Sequence, residues 1–382
     1  MTVFQGSSSA LSISTAERPR VLLVCEWFVK YTAALARGMA DLGCTVELLT
    51  RTHDLEFGGE AGSAEPGAME RWVATTLAGR AVHRQLPGRV RELGAVPRLL
   101  ELRGATRRFR ADYVHVQDSI VHDLRLGAAA RLWPGRYAVT VHDVDPHPGD
   151  PLRTTRIHRS RTVLIRNAGL VFVHSERARA RVIERERPRG AVEIVPHGVG
   201  RPALAPLCVE PTVLFFGRVS YYKGVDTLLD AMKVVWNTNP RATVTIAGHG
   251  DLPDHDVLRD PRVTVRNEHV PEDEVASLFA AARCVVLPYR EASQSGVGAQ
   301  AKQYGRPLVV TDVGGLPDLV ADGGGHLVAP EEPMSMGAAI LDVLDGDGVA
   351  ERMADVGGAT ALEFGWDRVA ELTLAAYERH LG

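Results

Sequence analysis

The chain has 382 residues, of which 45% are hydrophobic and 24% charged, and a formal net charge of -3. At about 100–200 residues per domain, this length predicts two domains, each able to bury a core of its own. The near-neutral charge excludes a general pull toward nucleic acid or an anionic membrane, and no run approaches the ~18 apolar residues of a transmembrane span.

The 4 cysteines, Cys25, Cys44, Cys208 and Cys284, share no CxxC spacing. Neither a zinc site nor a disulfide framework is predicted, and a reducing, cytoplasmic setting fits. Residues 1–18 lack a basic segment followed by an apolar core and read as a disordered leader. From Val21 short β-rich runs alternate with helical stretches. "RVLLVCEWF" is a strand opening into a loop. "YTAALARGMADLG" has helical spacing, with Leu35, Met39 and Leu42 on one face and Gly43 as its stop. "TVELLT", "ADYVHVQD", "RYAVTVHDVD", "AGLVFVHS" and "AVEIVPHG" are further strands, most ending in polar residues. This alternation predicts a parallel sheet with helices on both faces.

At residues 196–211 the pattern breaks into "PHGVGRPALAPLCVEP", a linker with 4 prolines and no period. Alternation then restarts through "TVLFFG", "GVDTLLDAMKVVW", "ATVTIAG", "RVTVRN", "EDEVASLFAAA", "CVVLPY", a helix near 297–304 and "PLVVTD". Amphipathic helices follow from Pro333 to His380. The fold class is therefore α/β, with two doubly wound Rossmann-like domains facing across a cleft. The expected boundaries are 19–197 for the first domain, 198–360 for the second, and 361–382 for a terminal helix packing back on the first. Ligands of open α/β sheets bind beyond the carboxyl ends of the strands, so the polar residues there carry the functional reading.

Just past "TVLFF", Gly217 and Gly224 flank a short turn with 2 cations, Arg218 and Lys223. A fixed guanidinium and ammonium stabilise a departing diphosphate without proton transfer; a solvated surface turn is the bland alternative. In "PYREASQSGVGAQAKQYGRP", Ser293, Gln294, Ser295 and Gly296 lead from a strand end straight into a helix. Open N–H groups there form an anion site, and Ser295 can cap the same helix.

These segments, with "VTIAGHGD" and "AKQYGRPLVVTDVGGLPDLV", resemble the donor-binding half of the retaining glycosyltransferase family 4, of GT-B fold. Upstream, "YVHVQD", "AVTVHDVDPH", "LVFVHS" and "VPHGV" arrive in that family's order. The resemblance runs from about Val21 to about Trp366. It implies that Arg218 and Lys223 hold a nucleotide diphosphate. The amides of Gln294 to Val297 would bind phosphate and donor sugar, joined by Gly217 and Ser293. His142 would sit near the anomeric carbon, and His269 and Val270 would line the base pocket through their backbone. The family's paired glutamates fall here on Ala292 and Gln300. Gln300 would still bond the ribose as a neutral amide, and Glu291, one position away, is a substitute for the first.

The first loop departs too, with Trp27, Phe28, Lys30 and Tyr31 where the family carries glycines. Trp27, Lys30, Tyr31 and Asp143 are the acceptor-site candidates; Trp27 and Phe28 as core or lid residues remain open. His142, Asp143, Asp145 and His147 suit a metal by type, but their loop-like spacing gains no further ligand, so no metal site is assigned. His115, His174 and His197 read as cleft-lining or structural. The implied activity is metal-independent, retaining transfer from a nucleotide-sugar to the hydroxyl of a small molecule or glycan. It requires no cofactor. A UDP-sugar is favoured and a GDP-sugar is open. No nucleic-acid partner is expected, and peripheral membrane contact stays open. Three alternatives share the fold: hydrolysis or epimerisation of the donor, coupling of two rings, and a non-catalytic nucleotide-sugar-binding subunit. A dinucleotide dehydrogenase fits poorly, since no GxGxxG follows the first strand.

Overall fold

The computed structural model describes residues 18–25, 27–51, 55–57, 67–86, 104–118, 137–144, 155–201 and 203–382. The leader up to Glu17, Asp145 and His147 lie outside the described residues. The first domain contains β1 (Arg20–Cys25), α1 (Val29–Asp41), β2 (Thr45–Arg51), α2 (Ala68–Leu77), β3 (Val82–Leu86), β4 (Tyr113–Asp118), β5 (Tyr137–Val141), α3 (Thr155–Asn167), β6 (Leu170–Val173), α4 (Glu176–Glu186) and β7 (Ala191–Ile194). Its 7 strands run in the order β3-β2-β1-β4-β5-β6-β7.

The second domain contains β8 (Thr212–Phe216), α5 (Val225–Thr238), β9 (Thr243–Ala247), β10 (Val263–Arg266), α6 (Glu272–Ala280), β11 (Cys284–Leu287), α7 (Gly296–Gln303), β12 (Leu308–Thr311), α8 (Leu316–Val320), β13 (Gly325–Val328), α9 (Pro333–Asp345) and α10 (Val349–Glu363), and the chain ends in α11 (Trp366–Leu381), which packs back on the first domain. Its 6 strands run β10-β9-β8-β11-β12-β13. Every strand pairing in both sheets is parallel among the described residues.

The central strands are apolar on both faces, as strands covered on both sides must be. Val21 to Cys25 and Cys284 to Leu287 are each at most 1% exposed. β3 was not among the strands expected from the sequence. Its "VHRQL" is half polar and it stands at the sheet edge, where one face meets solvent, so it lacks the apolar run that marks its neighbours. α11 packs on α1: Val369, Ala370, Leu374 and Tyr377 share a core with Leu35 and Met39. Its buried Tyr377 hydroxyl lies 2.5 Å from His115 Nδ1, and His115 Nε2 lies 2.7 Å from the Thr140 hydroxyl. The last helix is thereby tied to the first sheet.

Both sheets change direction beside their first strand, between β1 and β4 and between β8 and β11. The loops past the strands' carboxyl ends also meet one another. Lys30, after β1, pairs with Glu272, after β10, at 2.5 Å. Arg177, after β6, pairs with Asp312, after β12, at 2.8 Å. A cleft between two facing sheet edges follows.

Candidate active site

The second domain's half of the cleft lies at its switch point. β8 ends at Phe216, and Gly217 turns the chain with φ +106°. Arg218 is exposed, and a single turn of 3-10 helix, Tyr221–Lys223, leads to Gly224. Gly224 has φ +64°, and a Cβ there would lie 1.9 Å from the Pro288 carbonyl oxygen. No other residue lets the Lys223 turn pack so closely on the loop after β11.

Arg290 bolts these loops together. Its guanidinium donates to both carboxylate oxygens of Asp226 at 2.9 and 2.6 Å, to the Tyr221 carbonyl at 2.7 Å and to Glu331 at 2.8 Å. Its backbone N–H donates to the Tyr222 carbonyl at 2.8 Å. Neither Arg290 nor Asp226 was singled out in the sequence, because the pair joins residues 64 apart and carries no local signature.

The result is a concentrated positive site. The Lys223 ammonium lies 3.6 Å from the centroid of the Tyr289 ring. Burial holds its pKa below the usual lysine value and the Arg218 charge adds to this, while Tyr222 and the Asp143 carboxylate of the first domain oppose the shift. Beside the lysine, α7 begins at Gly296. Ser295 caps it, its hydroxyl accepting from Gly298 N–H at 3.2 Å. The N–H groups of Gly296 and Val297 have no acceptor among the described residues. Such open donors, with the helix dipole behind them, attract an anion. The Gln294 side-chain oxygen is also buried without a partner among the described residues. Ser293 lends its carbonyl to Gly315 N–H at 3.1 Å. Glu291 is exposed, and Gln300 is partly buried in the second turn of α7.

His269 and Val270 follow β10, and Val270 is 7% exposed. Burial, first, and the Lys30 charge, second, lower the His269 pKa, while a hydrogen bond involving the Glu56 backbone opposes this. Lys30 lies across the cleft mouth from them, 5.2 Å from the Phe57 ring and paired with Glu272. Trp27 is partly buried beside it.

Two placements differ from the sequence expectation. Tyr31 is not at the mouth of the cleft: α1 turns it inward, to 7% exposure, where its ring meets His142, His197 and Trp366 edge-on. His142 is not open toward a ligand: it is 2% exposed and the Phe28 ring stacks on it at 3.8 Å. Both ring nitrogens are engaged. His174 directs Nδ1 at the Val195 carbonyl, 2.9 Å away, and so donates there. Its Nε2, 3.3 Å from His142 Nδ1, must then accept, which puts the His142 proton on Nδ1. His142 Nε2 lies 2.9 Å from the atom placed as the Gln117 side-chain oxygen; with Nδ1 carrying the proton, Nε2 accepts once that amide is turned over so that its nitrogen faces the ring. This direction uses the Gln117 amide nitrogen, otherwise unpartnered and fully buried; the two amide orientations are alike in shape and the network selects one. Burial, reinforced by the neighbouring imidazoles, holds His142 far below the usual histidine pKa, and burial lowers His174 to about 4 and His197 to about 3. The cluster is neutral at neutral pH. Among the described residues no group of three or more His, Cys, Asp or Glu side chains is arranged to hold a metal ion.

The architecture is that of the GT-B proteins. Residues 29–198 match the model "Glycosyl transferase 4-like domain" and residues 210–346 match "Glycosyl transferases group 1". A glycogen synthase of Mycobacterium tuberculosis is 28% identical over 299 residues, covering 72% of this chain and 70% of that protein. Among solved structures, sucrose-phosphate synthase from Thermosynechococcus elongatus superposes with a TM-score of 0.71 at 19% identity, over 95% of this chain and 99% of that one. Anabaena HepE in complex with UDP-glucose gives 0.70 at 16% identity, over 95% of this chain and 100% of that one. Fold and matches together place the chain among the GT-B glycosyltransferases. No helix among the described residues is long and apolar enough to cross a membrane.

Proposed function

We propose that the protein is a retaining glycosyltransferase of the family 4 type. It moves a sugar from a nucleotide-sugar, most readily a UDP-sugar, to an acceptor hydroxyl without needing a metal ion. The observation that carries the reading is the Lys223 ammonium 3.6 Å from the Tyr289 ring, whose hydroxyl lies 3.4 Å from the Ser295 cap of α7, with Arg218 in the loop after β8 that leads to Lys223. These groups neutralise a diphosphate as it leaves, which is the role a divalent ion would otherwise fill. HepE, of like fold, is described with UDP-glucose bound, which supports the choice of donor.

In this reading the nucleobase lies along His269 and Val270, and Gln300 bonds the ribose. Gln294, Ser293 and Gly217 adjoin the donor sugar, with Glu291 at its edge. Trp27, Lys30 and Asp143 face the acceptor. His142 forms the floor beneath Phe28. The bond from the anomeric carbon to the β-phosphate oxygen breaks, and the acceptor oxygen bonds to the same face of that carbon. The acceptor proton passes to the departing phosphate oxygen. Among the described residues no carboxylate is assigned as a nucleophile, so the leaving phosphate is the favoured base.

The test is transfer from UDP-α-sugars to a panel of alcohols that includes methanol, with the product anomer read by proton NMR. An α-glycoside formed equally well with and without EDTA is expected. A β-product would overturn retention, and loss in EDTA restored by a divalent ion would overturn metal independence. Free sugar as the sole product would favour a hydrolase.

A further inference from the structure

The loop after β11 carries Tyr289 and Arg290 side by side, and each has a fixed place. The Tyr289 carbonyl accepts from the Thr311 hydroxyl at 2.6 Å, and the Tyr289 hydroxyl lies 3.4 Å from that of Ser295. The ring between these two anchors is the seat of the Lys223 ammonium, 3.6 Å from its centroid. The lysine is held over that seat by the backbone of its own turn, and Arg290 holds the backbone. Its N–H and its side chain take successive carbonyls of the turn, Tyr222 at 2.8 Å and Tyr221 at 2.7 Å. The guanidinium also covers the Tyr221 ring, 4.4 Å from its centroid.

Two carboxylates lock the guanidinium in that pose. Asp226, in the first turn of α5, accepts from Nη1 and Nη2, and Glu331, after β13, accepts from Nε at 2.8 Å. Glu331 has φ +58°, a left-handed backbone that a residue with a side chain adopts only where its surroundings impose it. A glycine would sit there without strain, so the carboxylate is kept at a cost to the fold. The Arg290 side chain is 13% exposed, against 38% for Asp226 and 60% for Glu331. One positive and two negative charges give the cluster no net attraction for an anion. Its contribution to a phosphate site is geometric: a planar fork joins the loops after β8, β11 and β13, and a single ammonium does not.

We propose that Arg290, locked by Asp226 and Glu331, is a positioning residue that sets the Lys223 ammonium over Tyr289 and so presents it to the donor diphosphate. Presentation to a diphosphate rests on the transferase reading. The placing of the ammonium does not, and NMR reads it without any ligand. The chain has only 4 lysines, Lys30, Lys223, Lys233 and Lys302. Lysine labelled with carbon-13 therefore gives few ε-methylene signals, and that of Lys223 is assigned by its loss in Lys223→Arg. Held above an aromatic face, its protons are shifted upfield by the ring current.

In Arg290→Met that upfield shift should collapse toward the value of a free lysine. Arg290→Lys, which keeps the charge but not the fork, should lose most of it as well. Should Arg290→Met fail to fold, Arg290→Lys and Glu331→Gly are read in its place. Glu331→Gly relieves the backbone and removes one arm of the lock, so it should melt no lower than wild type while the Lys223 shift shrinks and UDP binds more weakly. A role in stability alone would not separate these readouts. UDP titrated without added metal should bind Arg290→Lys about tenfold more weakly, the lower end of the range for a lost hydrogen bond to a charged group. On a Lys223→Ala background the same change should cost less than about twofold, since residues acting through one group are not additive. On an Arg218→Ala background the loss should stay near its full size. The proposal is overturned if a folded Arg290 variant, or Glu331→Gly, keeps the wild-type Lys223 signal, or if Arg290→Lys binds UDP as tightly as wild type. An undiminished loss on the Lys223→Ala background would overturn it too. A wild-type protein that does not bind UDP would sink the donor reading alone, since the lysine signal would still decide what places the ammonium.

Discussion

Gln300 stands where the resembled family carries a ribose-binding glutamate, on the helix that starts at the proposed phosphate site. A neutral amide bonds hydroxyls about half as strongly as a carboxylate. Gln300→Glu should therefore keep or tighten UDP binding by up to about 1 kcal/mol, and Gln300→Ala should weaken it by about 0.5–1.5 kcal/mol. Calorimetric titration of both variants checks this; unchanged affinity in both would mean that Gln300 faces solvent. Single residues were unevenly legible. Arg218 and Lys223 stand out because glycines bracket them in a short turn, and Ser295 because it precedes a helix. Arg290 and Asp226 were invisible, because each acts through a partner distant in sequence. The orientations of His142 and Tyr31 were likewise beyond the sequence. A polar residue at a strand end can face the cleft or a neighbouring ring, and packing alone chooses.

The element α1 shows how far its surroundings complete a helix. Its N-cap is Phe28, which offers no side-chain acceptor. Glu56, from the 3-10 turn after β2, supplies one instead, accepting from Val29 N–H at 2.6 Å and Lys30 N–H at 3.3 Å. Burial pushes the Glu56 carboxyl up to about 7 from an ordinary 4.5, despite the Lys30 charge and these two N–H groups. Between those two values the folded chain keeps a proton that the unfolded chain has released, so stability from this group falls as pH rises through the window and the loss is complete above it. Glu56→Gln keeps an acceptor for the helix and removes the titration. Its melting temperature relative to wild type should climb from pH 5 to about 7 and then level off. A constant offset across that range would contradict the assignment. At this scale most of the fold was readable: strands such as "RVLLVC" and "CVVL" are apolar throughout because helices cover both faces. The edge strands β3 and β13 escaped because neither carries such a run.

In the whole molecule, two facing sheet edges bring charges of both domains to one place. The pairs that span the cleft, Lys30 with Glu272 and Arg177 with Asp312, are substantially exposed, and pairs of that kind contribute only ~0–1 kcal/mol each. They contribute little to holding the two domains together. The two-domain grammar was plain from alternation alone. Which loops would meet across the cleft was not, because that depends on how the domains pack. The central claim is that Arg218 and Lys223 bind a nucleotide diphosphate. Calorimetric titration of UDP, without added metal, into the wild type, Arg218→Ala and Lys223→Ala tests it most directly. Saturable binding to the wild type is expected, weakened in each variant by about 1.5–3 kcal/mol, the range for a hydrogen bond to a charged group. Equal affinity in all three proteins, or no binding to the wild type, would contradict the claim.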